Sequence, residues 1–147
     1  MTIWWRLIVL ASLILCLREA EMSEPVPAND DKLDQFVAFR KRMNERILAE
    51  DNQLVRRFFA LDKQCYADGA LDGKTKELLG LVASMVLRCD DCISYHIAQS
   101  KKVGWSNEEV FDAMGVALLV GGSIVIPHFR RAVDFMDQVS ARTDIPL

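Results

Sequence analysis

Two cysteines, a histidine and a glutamate with the chemistry for redox or nucleophilic catalysis lie close together in the middle of the chain. Cys89 and Cys92 are three residues apart, His96 follows Cys92 by four residues, and Glu77 precedes Cys89. In a helix each residue turns the chain by about 100°, so Cys89, Cys92 and His96 would fall within about 60° of one another on one face. The chain has only 4 cysteines and 2 histidines, which makes this concentration informative.

The position of Glu77 predicts a helical hairpin. One continuous helix from Glu77 to His96 would separate Glu77 from Cys89 by about 18 Å along its axis, too far for shared chemistry. A reversal near residues 86–89 would instead fold two helices together and set Glu77 opposite His96. Asp90 and Asp91 suit the first turn of the second helix, because negative charge is favoured there.

The predicted hairpin gives Cys92 a means of activation. Cys89 would lie at or beside the N-cap and Cys92 one turn into the helix, where the helix N-terminus lowers a thiol pKa. Glu77 would orient His96, or receive protons through it, and His96 would act on Cys92. The two aspartates between the cysteines oppose this, since their charges disfavour a neighbouring thiolate.

Composition limits the class of protein. A length of 147 residues suits one domain, and 51% hydrophobic with 27% charged residues exclude a disordered chain. A net charge of -3 gives no electrostatic reason to expect a nucleic-acid partner. So few cysteines, two of them paired, disfavour a disulfide scaffold and favour a redox or metal pair in a reduced compartment.

The N-terminal segment has several interpretations. Ile3 to Leu17 is almost wholly apolar, but it is shorter than the roughly 20 residues that span a bilayer. It is either an upstream extension before a start at Met22, a signal segment or an anchor. We assign residues 1–21 to this leader, 22–29 to a polar linker, 30–141 to the domain and 142–147 to a tail. A cytoplasmic location is expected, or membrane anchoring or export if the leader is genuine.

From Asp30 to about Ser140 the pattern predicts an all-α fold of about six helices. Apolar residues recur at helical spacing and no convincing alternating run indicates a strand. The expected helix starts are Asp30 or Asp31, Asp72-Gly73, Ser106 with Glu109 as a capping box, and Ser123. The second helix has an apolar stripe that includes Cys65, which predicts a buried and inert thiol there: Leu54, Val55, Phe58, Phe59 and Cys65.

A Cys-x-x-Cys pair can also bind zinc, attach c-type haem or form a thioredoxin-like redox motif. Two cysteines, one histidine and one glutamate could complete a tetrahedral zinc site. Against zinc, no second Cys or His pair follows at finger spacing, and an ordered helical core needs no metal; we expect neither metal nor cofactor. Attached c-type haem is excluded because Ile93, not histidine, follows Cys92. A thioredoxin-like motif would require flanking strands.

The motif as a whole resembles a known family signature. Glu77, eleven intervening residues, Cys89-x-x-Cys92, three residues and His96 resemble the carboxymuconolactone decarboxylase family in its alkylhydroperoxidase D-like branch. The likeness runs from about Asp30 to Phe135 and includes Gly104, Glu108-Glu109-Val110 and Gly121-Gly122. It implies an all-α fold, assembly as a homo-oligomeric trimer or hexamer, and reduction of hydroperoxides by paired thiols.

The resemblance implies a role for each motif residue. Cys92 corresponds to the peroxidatic cysteine, which a hydroperoxide oxidises to a sulfenic acid, and Cys89 to the resolving cysteine that closes the disulfide. Glu77 and His96 correspond to the proton relay. A dithiol reductant is implied, either a lipoyl-bearing protein or a thioredoxin-like donor. The alternative is a non-enzymatic redox sensor or structural helical oligomer.

One position departs from the family pattern. The best-studied members have a histidine just before the second cysteine, within the relay, where this chain has Asp91. Asp91 and Tyr95 are candidates for lining the site. His128 would either reach the site across the Gly121-Gly122 bend or cap the interior of an oligomer. The decarboxylase branch proper lacks the cysteine pair, so decarboxylation of a muconolactone is disfavoured.

Overall fold

Six α-helices and one 3₁₀ turn make up residues 31–147, the part of the chain that the computed structural model describes. The helices are α1 (Lys32–Leu48), α2 (Gln53–Cys65), α3 (Gly73–Leu87), α4 (Asp90–Lys102), α5 (Asn107–Gly121) and α6 (Ile126–Ser140). The described residues contain no strand, which confirms the predicted all-α fold. The expected leader, linker and Asp30 lie outside the described residues.

Short polar residues begin most of the helices at the predicted positions. The side chains of Asp31 and Asp72 accept backbone N–H hydrogen bonds at 3.0 and 2.7 Å. Ser106 and Glu109 form the predicted capping box, with hydrogen bonds of 3.1 and 2.8 Å. The predicted cap at Ser123 is wrong: residues Ser123–Val125 form the 3₁₀ turn, and α6 begins after it without a side-chain cap.

The turn between α3 and α4 carries out the predicted reversal within two residues. Arg88 adopts the left-handed conformation, with φ 60° and ψ 37°. Its N–H donates to the Met85 carbonyl at 3.1 Å, and the Cys89 N–H donates to the Ser84 carbonyl at 3.0 Å. These bonds satisfy carbonyls at the end of α3, as in other left-handed helix termini. Cys89 therefore takes part in the C-terminal cap of α3 and is also the residue at which α4 begins.

The core is built where the α3–α4 hairpin packs against α5 and α6. Helix α3 contacts α4 and α5, and α6 contacts α4 and α5. Helix α1 packs on α6, where the Phe36 and Phe135 rings meet edge to face at 5.8 Å. In the expected tail, Ile145 and Leu147 also pack against the core. The largest fully buried core side chains contribute about 1.5–3 kcal/mol each: Leu33, Leu81, Met85, Ile93, Ile97, Met114, Val110, Val125 and Val139.

Helix α2 does not contribute buried residues to this core. Leu54 and Phe58, on its predicted apolar stripe, are 77% and 69% exposed. Cys65 is an exposed free thiol, so the prediction of a buried thiol is wrong. The helical periodicity identified the apolar face of α2, but it did not identify a partner that packs on this face. On this face, Leu54 and Phe58 remain exposed within the described residues. Within those residues, no helix has both the length and the apolar character that a membrane crossing requires.

Candidate functional site

The cysteine pair lies at the N-terminus of α4. Cys89 is the N-cap residue, and it is disulfide-bonded to Cys92 with a Cα–Cα distance of 5.3 Å. The Cys92 N–H donates to the Cys89 Sγ at 3.4 Å. Both residues are partly exposed. The helix N-terminus carries a positive partial charge, so once the disulfide is reduced it would favour a thiolate at this place.

Glu77 and His96 form a buried pair, and His96 lies on α4 one helical turn after Cys92. Glu77 Oε2 lies 2.8 Å from His96 Nδ1, and the two side chains are only 9% and 8% exposed. An ionised carboxylate can only accept hydrogen bonds, so the imidazole donates through Nδ1–H. His96 follows Cys92 by one helical turn, which places both on one face of α4. The hairpin thus brings Glu77 to His96 as the sequence predicted.

Tyr66, which the sequence analysis did not identify, contacts the other nitrogen of the same ring. Its hydroxyl lies 3.3 Å from His96 Nε2, and the two ring centroids are 5.2 Å apart. Burial, with the charge of Glu77 as the next cause, raises the pKa of Tyr66 to about 12. Tyr66 directly follows α2 and no local pattern marks it, because the contact joins residues far apart in the sequence.

Gly80 provides the space for this contact. A Cβ atom at Gly80 would lie 2.5 Å from His96 Cε1 and 2.7 Å from both His96 Nε2 and the Tyr66 hydroxyl. Such distances are well inside the separation of about 3.5 Å at which carbon atoms normally meet. Only a residue without a side chain lets α3 approach the imidazole and the phenol together.

Each aspartate between the cysteines has a cationic partner. Asp90 accepts from His128 Nδ1 at 2.7 Å and from Arg131 Nε at 3.0 Å. Burial raises the pKa of Asp90, but these two hydrogen bonds outweigh it and hold that pKa below its usual value. Asp91 lies 3.4 Å from Arg40 Nη1. The structure therefore places His128 at the turn that carries the cysteines, in contact with Asp90.

Tyr95 forms one wall of an open cavity that reaches Glu77. Its ring meets His96 edge on at 5.3 Å, and its hydroxyl accepts from Gln99 Nε2 at 2.9 Å. The Arg40 guanidinium lies 4.1 Å above the Tyr95 ring. The cavity has a volume of about 820 Å³, and its lining includes Tyr66 and Glu77. Small molecules from solvent can thus approach Glu77 from the side of α1 and α2.

The geometry differs from a tetrahedral zinc site. The cysteine sulfurs bond to each other, while Glu77 and His96 bond to one another. Among residues 31–147, no three His, Cys, Asp or Glu side chains are arranged to hold a metal ion. The arrangement has the parts that dithiol–disulfide chemistry needs: two cysteines bonded at a helix N-terminus and a carboxylate–imidazole hydrogen bond.

Solved structures of carboxymuconolactone decarboxylase family proteins are similar to this chain in both sequence and fold. A Thermotoga maritima protein, described as a carboxymuconolactone decarboxylase family protein with a possible part in an antioxidative response, is 52% identical with a TM-score of 0.70. The match covers 73% of this chain and 91% of that one. A carboxymuconolactone decarboxylase family protein from Legionella pneumophila is 26% identical with a TM-score of 0.69, covering 75% of this chain and 98% of its own.

A curated relative has no described activity. The uncharacterized protein 4 in the cox locus of Paracoccus denitrificans is 33% identical over 82 residues, which is 56% of this chain and 74% of that protein. The model of the carboxymuconolactone decarboxylase family matches residues 52–135, more than half of the chain, and this stretch holds Tyr66, Glu77, both paired cysteines and His96. The chain therefore belongs to the carboxymuconolactone decarboxylase family.

Proposed function

We propose that the protein is a thiol-dependent peroxidase that reduces hydroperoxides through a Cys89–Cys92 dithiol–disulfide cycle. The observation that carries the proposal is a disulfide at a helix N-terminus, one turn from a buried Glu77–His96 hydrogen bond of 2.8 Å. A disulfide alone could be structural, but the carboxylate–imidazole pair supplies the proton transfers that thiol oxidation needs. The Thermotoga relative, with its possible antioxidative part, supports the same chemistry.

The proposed cycle begins with the reduced protein. Cys92 gives its proton to His96, and its thiolate attacks the hydroperoxide. An S–O bond forms as the O–O bond breaks, and the alkoxide takes the proton from His96 and leaves as an alcohol. Cys92 is then a sulfenic acid. The Cys89 sulfur attacks the Cys92 sulfur, an S–S bond forms, and the hydroxyl group leaves as water with the proton of the Cys89 thiol.

A dithiol must return two electrons to complete the cycle. We propose a lipoyl-bearing or thioredoxin-like donor, because a vicinal dithiol reduces a disulfide through a mixed disulfide and then closes on itself. Both cysteines are partly exposed, so a donor thiolate has access to either sulfur. Turnover of peroxide with dihydrolipoamide would support an enzyme. A single oxidation without turnover would indicate the alternative, a redox-sensing helical protein.

The test is the rate of thiol loss when hydrogen peroxide or cumene hydroperoxide is added to reduced protein, followed by peptide mass. We expect rapid loss of two hydrogens per chain, mapped to Cys89 and Cys92. The exposed free thiol of Cys65 serves as an internal reference. Oxidation of the pair no faster than oxidation of Cys65 would overturn the proposal.

Substitutions of the two cysteines separate their roles. We expect Cys92→Ser to abolish peroxide turnover, while Cys89→Ser should stop at one sulfenic acid per chain that a dimedone probe captures. Cys65→Ser is the matched control, because it removes a thiol that lies outside the disulfide. Normal turnover in Cys92→Ser would show that the peroxide meets a different sulfur first.

We also propose that the protein is a homo-oligomer, a trimer or a hexamer. Several large apolar side chains near the meeting point of α3 and the end of α5 are exposed, among them Leu87 at 74% and Leu119 at 86%. Exposed apolar patches of this kind are typical of interaction surfaces. Light scattering after size exclusion would measure the mass; a monomer at micromolar concentration would contradict the proposal, and Leu119→Glu should weaken the assembly.

A further inference from the structure

We propose that Tyr66 is a positioning residue that holds the Nε2 edge of His96 through both protonation states of the imidazole. The inference rests on the proposed peroxidase function, in which His96 carries the proton between Cys92 and the leaving oxygen. It assigns a role to a residue at the end of α2, which otherwise contributes no buried side chain to the core. The Tyr66 hydroxyl lies 3.3 Å from Nε2.

The hydrogen-bond partners of the ring fix its tautomer. Glu77 lies 2.8 Å from Nδ1, so the neutral imidazole carries its hydrogen on Nδ1 and a lone pair on Nε2. The Tyr66 hydroxyl then donates to Nε2. When His96 accepts a proton at Nε2, the new N–H donates to the same hydroxyl oxygen, because a phenol is both a donor and an acceptor. The ring keeps one orientation throughout the proton transfer.

The phenol can play both parts only if it stays protonated. Burial and the neighbouring Glu77 charge raise the pKa of Tyr66 to about 12, so the hydroxyl remains neutral over the whole physiological range. A tyrosinate would accept only, and it could not donate to the lone pair of neutral His96. Three titratable groups contact the imidazole within the described residues: Glu77 from α3, Tyr66 after α2, and Tyr95 from α4 itself.

The two hydrogen bonds to the imidazole differ in length, and the weaker one is at Nε2, the nitrogen that gains and loses the proton. The 2.8 Å bond to Glu77 is short, while the 3.3 Å bond to Tyr66 is near the long limit for such a bond. The longer bond leaves the Tyr66 hydroxyl free to change from donor to acceptor as Nε2 gains a proton, while Glu77 holds the opposite edge of the ring.

The packing around the ring supports a positioning role. The Tyr66 and Tyr95 rings meet the imidazole at centroid distances of 5.2 and 5.3 Å. Gly80 leaves room for both the imidazole and the phenol, because a Cβ atom at this position would overlap both of them. Tyr95 differs from Tyr66 in one respect that matters here: its hydroxyl is bonded to Gln99 and not to His96.

That difference provides a matched pair of variants, Tyr66→Phe and Tyr95→Phe. Each keeps its ring and loses one hydroxyl, but only the first removes a partner of Nε2. In ¹⁵N-histidine spectra of the oxidised protein, we expect wild-type His96 to show one tautomer, protonated at Nδ1. Tyr66→Phe should keep this tautomer, because Glu77 still accepts from Nδ1, but it should shift the Nε2 signal, which loses its hydrogen-bond donor. Tyr95→Phe should keep the wild-type nitrogen signals. His128, the other histidine, is assigned with His128→Asn.

The kinetic readout is the peroxide oxidation of Cys92 in the reduced variants. We expect Tyr66→Phe to slow it about tenfold, the equivalent of one hydrogen bond to a charged ring. The apparent pKa of the Cys92 thiol, measured by alkylation, should rise in the same variant. Unchanged nitrogen signals in Tyr66→Phe, with or without slower oxidation, would overturn the positioning role, and so would unchanged or faster oxidation.

The nitrogen measurement also keeps the two proposals separate. It needs neither a peroxide nor a reductant, so it reports on the Tyr66–His96 contact even if the cysteines prove unreactive. Wild-type thiols that react no faster than Cys65 would remove the peroxidase function. A wild-type protein that reacts rapidly, beside a Tyr66→Phe variant with wild-type signals and rate, would remove only the role of Tyr66.

Discussion

Substitution of Gly80 by alanine tests the packing around the Glu77–His96 pair directly. The new Cβ would lie 2.5 Å from His96 Cε1, so the imidazole has to retreat by about 1 Å to reach ordinary van der Waals contact. A retreat of that size lengthens the 2.8 Å bond to Glu77 beyond hydrogen-bond range, or carries Nε2 away from Tyr66. We therefore expect peroxide oxidation of the cysteines to slow by at least about tenfold.

The effect on stability is the sum of two opposing contributions. Overpacking a well-filled site costs about 1–3 kcal/mol, whereas alanine is favoured over glycine inside a helix by about 1 kcal/mol. Gly80→Ala should therefore lower the free energy of unfolding by about 0–2 kcal/mol. Gly115 lies inside α5 with no atom within 4 Å of an added Cβ, so Gly115→Ala should gain the helix contribution alone.

The assay compares the two variants by chemical denaturation and by the rate of thiol oxidation. The expected difference in unfolding free energy between them is about 1–3 kcal/mol, which is the overpacking contribution isolated from helix propensity. Gly115→Ala should oxidise at the wild-type rate. A Gly80→Ala protein that is as stable as Gly115→Ala and equally reactive would show that the ring has room to spare, and would refute the reasoning about the site.

Three further predictions concern titration. In an alkaline absorbance titration, one tyrosinate should appear only near pH 12, and Tyr66→Phe should remove that late component; loss of an earlier component instead would contradict it. Although burial opposes them, hydrogen bonds from its cationic neighbours lower the pKa of Asp90, so its contribution to stability is present above about pH 3.9 and is lost as the pH falls further. Asp90→Asn should accordingly lose less than about 1 kcal/mol at pH 7 and nothing in strong acid, because the carboxylate is about half exposed; a loss independent of pH would count against this. Arg40→Gln should slow alkylation of Cys92 in the reduced protein, because it leaves the Asp91 carboxylate without its cation, while Arg42→Gln on the same helix should not; equal effects would argue against a local charge.

The hairpin and the Glu77–His96 contact could be predicted because their signals lie within one short stretch of the chain. Glu77 can share chemistry with the cysteines only if the chain reverses between them, and a cysteine followed by two aspartates is typical of a helix start. These two signals predicted Glu77 opposite His96 and Cys89 at or beside the N-cap, and the structure confirms both placements. The capping box at Ser106 was predictable for the same reason, since it involves residues only three positions apart.

What the sequence did not predict depends on contacts between distant segments. Tyr66 and His96 are thirty positions apart, and nothing near Tyr66 distinguishes it from an ordinary residue at a helix end. The stripe on α2 has the period of a buried face, yet Phe58 and Cys65 are exposed, because amphipathicity does not identify what covers a face. Ser123 has the chemistry of a cap but lies in a 3₁₀ turn, three residues before α6.

The two aspartates between the cysteines oppose a thiolate by their charge, and the structure pairs each of them with a cation from another helix. A carboxylate beside a thiolate raises the thiol pKa, so two of them could cancel the benefit of the helix N-terminus. Asp90 is paired with His128 and Arg131 from α6, and Asp91 with Arg40 from α1. Each carboxylate is thus paired with an arginine from another helix, and this pairing reduces the effect of its charge at the cysteines. Because both arginines come from distant parts of the chain, the charge counted along the sequence exaggerates the opposition to a thiolate at this turn.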